Sequence, residues 1–364
     1  MIPMVDLKRQ YHNLKKEMDD AIRDVLEETR FILGPNVGAL EEEVATYHSL
    51  PYAIGVGNGT DALLLALRAC GIGEGDEVIT TPFTFIATAE VVALLKAKPV
   101  FVDICPDTYN LDCNQIAGKI TSKTKAIIPV HLFGHPADMD PIMEIAGKHH
   151  LKVIEDCAQA FGATYKGKKV GSMGDAGCFS FFPSKNLAGY GDGGMVITKE
   201  EEIAGRIKML RNHGSAKRYY HQDVGYNSRL DEIQAAIIRV KLKKIDQFNA
   251  ARRHNAAAYG EAIKNKNITL PVVVPGCEHV YHQFTIRAKN RDRLADALLK
   301  KEISSAIYYP VPLHQQDVFL RLYHDSDNLP QSEKASQEVL SLPMFPELNR
   351  DEIQLISDVI NNVF

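Results

Sequence analysis

The alternation of short apolar segments with helical patterns between residues 52 and 200 constrains the fold of this chain more than any other feature. Seven segments in this region have the length and apolar character of strands: 53–56, 77–80, 99–103, 126–131, 152–155, 176–182 and 194–198. Helical patterns such as 60–69 and 140–149 separate several of them. Strand, helix, strand at this spacing predicts a doubly wound α/β domain with a mostly parallel sheet.

After residue 200 the pattern changes to long amphipathic helices followed by a shorter α/β segment. The expected elements are helices at 201–210, 230–249 and 252–263, a strand at 280–287, a helix at 292–301, a strand at 304–309, and helices at 332–340 and 350–363. A chain of 364 residues also exceeds the roughly 250–300 residues that one hydrophobic core accommodates. We therefore expect a large domain at 1–247, including the N-terminal helices, and a smaller C-terminal α/β domain at 248–364.

Charge and cysteine content exclude several classes of function. Lys and Arg number 42 and Asp and Glu 46, so a net charge of −4 predicts no nucleic-acid or membrane partner. No apolar run approaches the roughly 18–20 residues of a transmembrane helix, and charged residues stand where a signal peptide needs its apolar core. The six scattered cysteines favour reduced thiols in a cytoplasmic protein over a zinc site or disulfides. No metal site is predicted.

A glycine-rich turn at 55–61, with the sequence GVGNGTD, lies between the first predicted strand and the helix at 60–69. Unpaired backbone amides and the positive end of the helix dipole meet at such a turn, and glycines let an anion approach the backbone closely. The turn can therefore bind a phosphate group. The same residue types also cap helices, so a simple cap by Asn58 or Thr60 is an open alternative.

The segment VIEDCAQ at 153–159 places two acids at the carboxyl end of a buried strand, where open α/β sheets bind ligands. A buried carboxylate is costly unless it is paired, so Asp156 is expected to face a cationic partner. An N-cap for a following helix is the alternative interpretation.

A lysine stands in the turn after the sixth predicted strand, in FSFFPSKNL, and the glycine-rich GYGDGG follows it. Between apolar walls and glycine backbone, the amine of Lys185 would have a lowered pKa and would attack an aldehyde. Most loop lysines are simply solvated, but this one follows a phosphate-type turn and the strand-end Asp156. Pyridoxal phosphate needs those three groups, for its phosphate, its pyridine nitrogen and its aldehyde.

Many ordered motifs then indicate a family. They are FILGPNVGALEEEVA, GNGTDALLLAL, GDEVITTPFTFIATAE, KPVFVDI, VIEDCAQAFGA, FSFFPSKNLAGYGDGG, NSRLDEIQAAI and YYPVPLHQQ. The chain resembles the DegT/DnrJ/EryC1/StrS family of sugar aminotransferases, which implies fold type I of the pyridoxal-phosphate enzymes with a mostly parallel seven-stranded sheet. The lysine loop and NSRLDE resemble the branch that aminates 3-keto nucleotide sugars, including enzymes that make 3-amino-N-acetylglucosaminuronic acid.

The resemblance implies a role for each matching residue. Lys185 and Asp156 are the predicted catalytic residues. Lys185 would hold the cofactor and act as the general acid and base, and Asp156 would be the partner of the pyridine nitrogen. The predicted cofactor-binding residues are Gly59, Thr60, Phe85, Asp156, Gln159, Ser180, Lys185 and Asn227. The predicted substrate-binding residues are Thr29, Phe31, Ser184, Arg229, Tyr308 and Tyr309. Close relatives have a His-Tyr pair at the last two positions, so Tyr308 is a departure that leaves the substrate open.

The resemblance also implies a homodimer with shared active sites, in which Asn227 reaches the phosphate bound by the neighbouring subunit. Arg229 would bind the sugar or its carboxylate, a task that suits a bidentate guanidinium. A structural salt bridge between Arg229 and Asp231 is the open alternative.

The implied reaction transfers an amino group from L-glutamate to a keto nucleotide sugar, here a UDP- or dTDP-linked 3-keto sugar for polysaccharide or glycoside biosynthesis. A 4-keto-sugar aminotransferase is the alternative, although that branch usually has HPVK and TGEGG in its lysine loop. A sugar dehydratase of the same family has His in place of Lys185, so the sequence argues against one. A non-catalytic sensor would normally add a basic DNA-binding domain, for which a net charge of −4 gives no sign.

Overall fold

The computed structural model describes residues 1–323 and 328–363. Its α-helices are α1 (Leu7–Asn13), α2 (Lys15–Glu28), α3 (Pro35–His48), α4 (Gly59–Ala69), α5 (Ala87–Leu94), α6 (Cys113–Ile116), α7 (Met139–His149), α8 (Glu201–Leu210), α9 (Glu232–Leu242), α10 (Ile245–Ala262), α11 (Arg291–Lys300), α12 (Asp317–Tyr323), α13 (Pro330–Glu338) and α14 (Arg350–Asn361). Its strands are β1 (Tyr52–Val56), β2 (Glu77–Thr80), β3 (Lys98–Phe101), β4 (Thr124–Ile128), β5 (Lys152–Asp156), β6 (Thr164–Tyr165), β7 (Lys168–Lys169), β8 (Ala176–Ser180), β9 (Gly194–Thr198), β10 (Ser215–Lys217), β11 (Tyr220–His221), β12 (Ile268–Thr269), β13 (Cys277–Glu278), β14 (Phe284–Ala288) and β15 (Val339–Leu342). Short 3₁₀ helices lie at Ala117–Lys119, Leu132–Gly134 and Leu313–Gln315.

The main sheet of the described residues has seven strands in the order β1-β9-β8-β5-β4-β2-β3. The strands β8, β5, β4, β2 and β3 pair in parallel, whereas β9 is antiparallel to both of its neighbours. The prediction of an α/β fold with a mostly parallel seven-stranded sheet is therefore confirmed. Strand β9 is buried along its whole length, as expected where both faces of a sheet are covered.

The sheet order brings three strand ends to one edge. Strands β5 and β8 are parallel neighbours, and β1 runs in the same direction because β9 is antiparallel to both β1 and β8. The carboxyl ends Val56, Asp156 and Ser180 therefore open on the same side of the sheet. Ligands bind at this side in open α/β sheets.

A second core lies in the C-terminal part of the chain. Strands β12, β14 and β15 form an antiparallel sheet, and α10, α11 and α14 contribute to the same apolar cluster. The N-terminal segment joins this core, since Ile2 pairs with Ile303 and both Ile2 and Val5 pack against the cluster. The predicted boundary between residues 247 and 248 falls inside α10, and the division into 1–247 and 248–364 stays a prediction.

Several predicted elements differ from the structure. The strand expected at 280–287 begins only at Phe284. The helices expected at 230–249 and 252–263 are divided earlier, between α9 and α10, because Lys244 N bonds to Lys241 O in a tightened last turn that periodicity does not reveal. The strand expected at 304–309 makes only a single bridge, between Ala306 and Ser341, and Pro310 ends the segment. The helix expected at 332–340 ends at Glu338, where β15 begins. Among the described residues, no helix combines the length and apolar character that crossing a membrane requires.

Candidate active site

The glycine-rich turn before α4 lies against the end of β8. Asn58 caps the helix, since its Oδ1 accepts a hydrogen bond from Asp61 N at 2.8 Å. This cap leaves the amides of Gly59 and Thr60 in the first turn without an intrahelical acceptor. A Cβ on Gly59 would lie 2.6 Å from Cβ of Ser180, so only glycine fits at this position. The cap and the anion-binding turn, which the sequence left as alternatives, are compatible with each other.

Asp156 ends β5 and is 5% exposed. Its carboxylate accepts hydrogen bonds from Thr88 Oγ1 at 2.8 Å and from Ala158 N at 3.1 Å. Burial raises the pKa of Asp156, because these two bonds and the charge of Lys185 offset only part of the cost of desolvation. The expected helix cap is not formed, since turns follow β5. Asp156 therefore has room for a further cationic donor.

Glu155, one residue earlier, points to the opposite side of the strand and is fully satisfied. Its carboxylate accepts bonds from the amides of Gly171 (2.7 Å), Met173 (2.8 Å) and Gly174 (2.7 Å) and from His131 Nε2 (3.0 Å). Burial opposes ionisation, but the bonds from His131 and from the backbone still lower the pKa of Glu155.

The ligand atoms of His131, Glu155 and Cys157 lie within 4.8 Å of one another, a spacing that a metal ion could bridge. The Nδ1 of His131, however, already accepts a hydrogen bond from Ala137 N at 2.9 Å. Burial raises the pKa of Cys157 well above its ordinary value, which keeps the thiol protonated. With the acceptors of the first two residues in use and the thiol neutral, this cluster supports the fold rather than a metal.

Lys185 lies in a tight turn after β8, where its backbone amide donates to Phe182 O at 2.8 Å. The side chain is partly buried. Burial lowers the pKa of its amine to about 8, and the charge of Asp156 offsets part of that shift. Such an amine has a far larger neutral, nucleophilic fraction near pH 7 than a solvated lysine has. Ser184, the predicted substrate residue, directly precedes it in the same turn.

Gln159 and Tyr309 close the side of the site next to Asp156. Phe133 N donates to Gln159 Oε1 at 2.7 Å, and this bond fixes the amide so that Nε2 donates to Tyr309 Oη at 3.0 Å. The hydroxyl proton of Tyr309 is left to donate elsewhere, and burial raises the pKa of this phenol. Phe85 is 56% exposed, with its ring centroid 6.4 Å from that of Tyr309. Tyr308 packs partly buried beside the same aromatic cluster.

The segment at 227–232 contacts the glycine-rich turn at 55–61 through Ser228, a residue that the sequence analysis did not predict. Gly57 N donates to Ser228 Oγ at 3.0 Å, whereas the side chain of Asn227 is exposed. Arg229 Nη1 donates to Asn212 Oδ1 at 3.2 Å. Within the described part of the chain, the alternative ion pair of Arg229 with Asp231 is not formed.

Thr29 and Phe31 lie on a strap that runs beside this segment. Ile32 forms an antiparallel bridge with Asp231, and Phe31 O accepts a hydrogen bond from Glu232 N at 3.0 Å. The carboxylate of Glu232 in turn accepts a bond from Val37 N at 3.1 Å, at the start of α3. The ring of Phe31 is 43% exposed. The strap and the Arg229 segment therefore form one continuous rim.

The structure thus gathers most of the predicted site residues and adds two that were missed, Thr88 and Ser228. Thr88 is one of several threonines in a motif already noted, and its residue type gave no signal that it would contact Asp156. The gathered groups fit pyridoxal phosphate on three observations. Asp156 lacks a full cationic partner, the Gly59–Ser180 contact leaves a cradle that a Cβ would fill, and Lys185 presents an amine with a lowered pKa.

Residues 12–361 match the DegT/DnrJ/EryC1/StrS aminotransferase family. The chain belongs to this family. The match covers nearly the whole length, so the predictions of the family and of the aminotransferase class are confirmed. Solved structures of similar aminotransferases hold the cofactor in its pyridoxamine-phosphate form, which confirms the prediction of pyridoxal phosphate as the cofactor.

The similar proteins include one named as a regulatory protein and others named as sugar aminotransferases or known from solved structures. A protein of Geobacillus stearothermophilus named Pleiotropic regulatory protein is 51% identical over 363 residues, covering 99% of this chain and 97% of the relative. The UDP-N-acetyl-3-dehydro-alpha-D-glucosamine 3-aminotransferase of Acidithiobacillus ferrooxidans is 50% identical over 359 residues, with the same two coverages. The solved structure of DesV from S. venezuelae superimposes with a TM-score of 0.96 and 42% identity, covering 99% of this chain and 97% of the other.

Proposed function

We propose that this protein transfers an amino group from L-glutamate to a 3-keto sugar of a UDP- or dTDP-linked nucleotide, through pyridoxal phosphate. The observation that carries the proposal is that a buried, under-satisfied Asp156 and the low-pKa amine of Lys185 lie in one site beside an anion-binding turn. The 50% identity to a 3-aminotransferase over 99% of the chain supports the 3-keto position over the 4-keto alternative.

Each residue of the site has a task in this scheme. Pyridoxal phosphate, when bound, supplies an electron sink for negative charge that develops on the Cα of the amino acid. Asp156 holds the proton on the pyridine nitrogen, and Thr88 orients its carboxylate through the 2.8 Å hydrogen bond. Lys185 Nζ would take the proton from the Cα of the amino donor and release a proton on the cofactor side of the transferred nitrogen. The same amine works in reverse on the sugar.

The remaining predicted residues bind and orient. Gly59, Thr60 and Ser180 would hold the phosphate at the start of α4, where amides and the helix dipole favour an anion. Gln159 would lie beside the ring hydroxyl, and Phe85 would cover the face of the ring. Tyr308 and Tyr309 would face the sugar, with a phenol at the first position in place of the imidazole of close relatives.

A homodimer with shared sites is part of the proposal. Three aromatic side chains around the site are open to solvent in the single chain, since Phe31, Phe85 and Phe182 are 43%, 56% and 52% exposed. Asn227 is exposed as well, as a side chain that serves the phosphate of a neighbouring subunit would be. We further propose a cytoplasmic location and a product used in surface glycans, such as lipopolysaccharide. Arg229 is compatible with a uronate substrate.

A half-reaction experiment tests the function. The absorbance spectrum of the cofactor-loaded protein is recorded before and after glutamate, and conversion to the amine form of the cofactor is expected. The amine form is then titrated with 3-keto and with 4-keto nucleotide sugars, and only the 3-keto sugars should restore the original spectrum. A protein that remains colourless with added pyridoxal phosphate contradicts the proposal. A loaded protein indifferent to glutamate requires another donor or, as the name of one relative suggests, a regulatory role.

A further inference from the structure

A buried histidine without a hydrogen-bond partner on one ring nitrogen lies in the segment that crosses behind the lysine loop. His282 is 3% exposed, and within the described residues its Nδ1 has no hydrogen-bond partner. Its Nε2 lies 3.5 Å from the side-chain amide of Gln283, at the limit of a hydrogen bond. A buried polar atom without a hydrogen-bond partner is uncommon in a protein interior, so a functional explanation is needed for this one.

Backbone contacts on both sides locate His282 at the site. On one side, Asn186, the residue after Lys185, donates from Nδ2 to Val280 O at 3.0 Å. On the other side, Gln283 N donates to Phe133 O at 3.2 Å, and Phe133 N in turn holds Gln159. His282 therefore lies between the contact with the lysine loop and the contact with the Gln159 pair.

The charges around His282 determine which form of its ring is stable. Within the described residues, the groups that act on it electrostatically are Lys185, Arg252 and His279, all of which are cationic when charged. Burial and these cations push the pKa of His282 well below its ordinary value. Among the described residues, no acid is one of the groups that act on the ring, so the ring is neutral at physiological pH and keeps one lone pair.

We propose that His282 is a positioning residue for Lys185, accepting a hydrogen bond at Nδ1 from the free lysine amine, directly or through one buried water. The inference rests on the proposed function, because it concerns Lys185 as a free amine, the form it has whenever the transferred amino group occupies the cofactor in its place. In that form the amine must stay aimed at the reacting carbon, and an acceptor behind it restricts its rotation. Among the described residues, Asn186 Oδ1 is also buried without a hydrogen-bond partner, and Asn186 directly follows Lys185 in the chain.

The test measures the pKa of Lys185 in protein loaded directly with pyridoxamine phosphate, a step that needs no turnover. The pH dependence of acetylation at Lys185 is followed by mass spectrometry in the wild type and in H282F, H282N and H48F. Loss of an acceptor disfavours the ammonium form, so H282F should lower the pKa of Lys185, which starts at about 8, by about one. The neutral fraction at pH 7 then rises from about a tenth to about a half, so acetylation should be roughly fivefold faster. H282N, which keeps an acceptor, should restore much of the wild-type value.

His48 provides the matched control. It too is buried, at 3% exposure, with one unpartnered ring nitrogen, and burial lowers its pKa to about 4. Its electrostatic partners are Lys169 and Glu155 rather than Lys185. H48F should therefore leave the Lys185 titration unchanged. An unchanged titration in folded H282F, or an equal shift in H48F, overturns the proposal.

A second measurement decides the matter if H282F does not fold. The ring ¹⁵N shifts of His282 should show a bare Nδ1 in the wild type, and K185A should move that shift while the His48 shifts stay in place. A protonated Nδ1, or a His282 shift indifferent to K185A, overturns the proposal. If the protein binds no pyridoxamine phosphate, the proposed function fails, and the NMR result still decides the role of His282.

Discussion

The two sides of strand β5 hold neighbouring buried acids with opposite properties. Glu155 accepts bonds from three backbone amides and His131, and its pKa is lowered. Asp156 accepts two bonds, and its pKa is raised. Both are buried and both stand at the end of the same strand, so burial and position do not separate a structural acid from a functional one. What separates them is whether the protein itself completes their hydrogen bonding.

This difference has a physical reason. A buried charge that the protein fully satisfies stabilises the fold, whereas an under-satisfied one costs stability until a ligand completes it. The hydrogen bonding of Glu155 is complete without a cofactor. The hydrogen bonding of Asp156 and Lys185 is complete only when a cofactor is bound.

Removal of the lysine on the incomplete side should have the largest effect. K185A is expected to lower both half-reactions by about 10⁴-fold or more, because no other described amine is positioned to move the Cα proton. Single-turnover spectra with glutamate and with the keto sugar measure each half separately. Full steady-state activity in K185A would show that the base lies elsewhere.

Neutralisation of Glu155 should lower the free energy of unfolding instead. E155Q replaces an acceptor of three amide bonds by a group that carries its own donors, which we expect to cost about 3–5 kcal/mol of the free energy of unfolding. The pKa of Glu155 is lowered on folding, so its contribution is present above the unfolded pKa and is lost as the pH falls. Denaturant titrations from pH 7 downward should therefore converge for E155Q and the wild type. A stable E155Q would mean that the two sides do not differ.

The matching change at Asp156 should lower activity and raise the stability of the cofactor-free protein. D156N is expected to slow turnover by about 10²–10³-fold while the cofactor still binds, because the pyridine nitrogen loses the carboxylate that keeps it protonated. The pKa of Asp156 is raised on folding, so its ionised form lowers stability as the pH rises above the unfolded pKa. Cofactor-free D156N should then be more stable than the wild type near pH 7. Calorimetry of the cofactor-free proteins measures this sign, and a less stable D156N would contradict it.

The sequence predicted much of this site because the chemistry of one cofactor selects recognisable residue types. Asp156, Lys185 and the Gly59 turn were identified from the strand ends and glycine pattern before any family was considered. The contrast between Asp156 and Glu155 could not be predicted, since the amides that satisfy Glu155 come from residues 171–174, which only the folded chain brings near. Ser228 and Thr88 were missed for the same reason.

The fold shows the same limit. Periodicity predicted the seven strands of the main sheet, since each contains a short apolar run. It missed β15, because Val339 and Leu340 were counted as the end of the helix expected at 332–340, although the residue type changes there from the polar α13 to the apolar β15. It also predicted a strand around Ala306, where only one pair of bonds to Ser341 exists. Sheet partners, rather than local pattern, decide such short segments.

Lys241 tests whether incomplete bonding by itself marks a functional group. It is fully buried, its Nζ lacks a hydrogen-bond partner among the described residues, and burial lowers its pKa to about 8, as for Lys185. Its ammonium, however, lies 4.3 Å from the ring centroid of Tyr190, so an aromatic face offsets part of its desolvation. We expect K241M to raise the free energy of unfolding at pH 7 by about 1–3 kcal/mol with both half-reactions unchanged. The cost of a buried lysine is full below its folded pKa and fades as the pH rises towards the ordinary value of 10.5. The stability gain of K241M should therefore shrink between pH 8 and 10.5, and a loss of activity in K241M would instead extend the active site to α9.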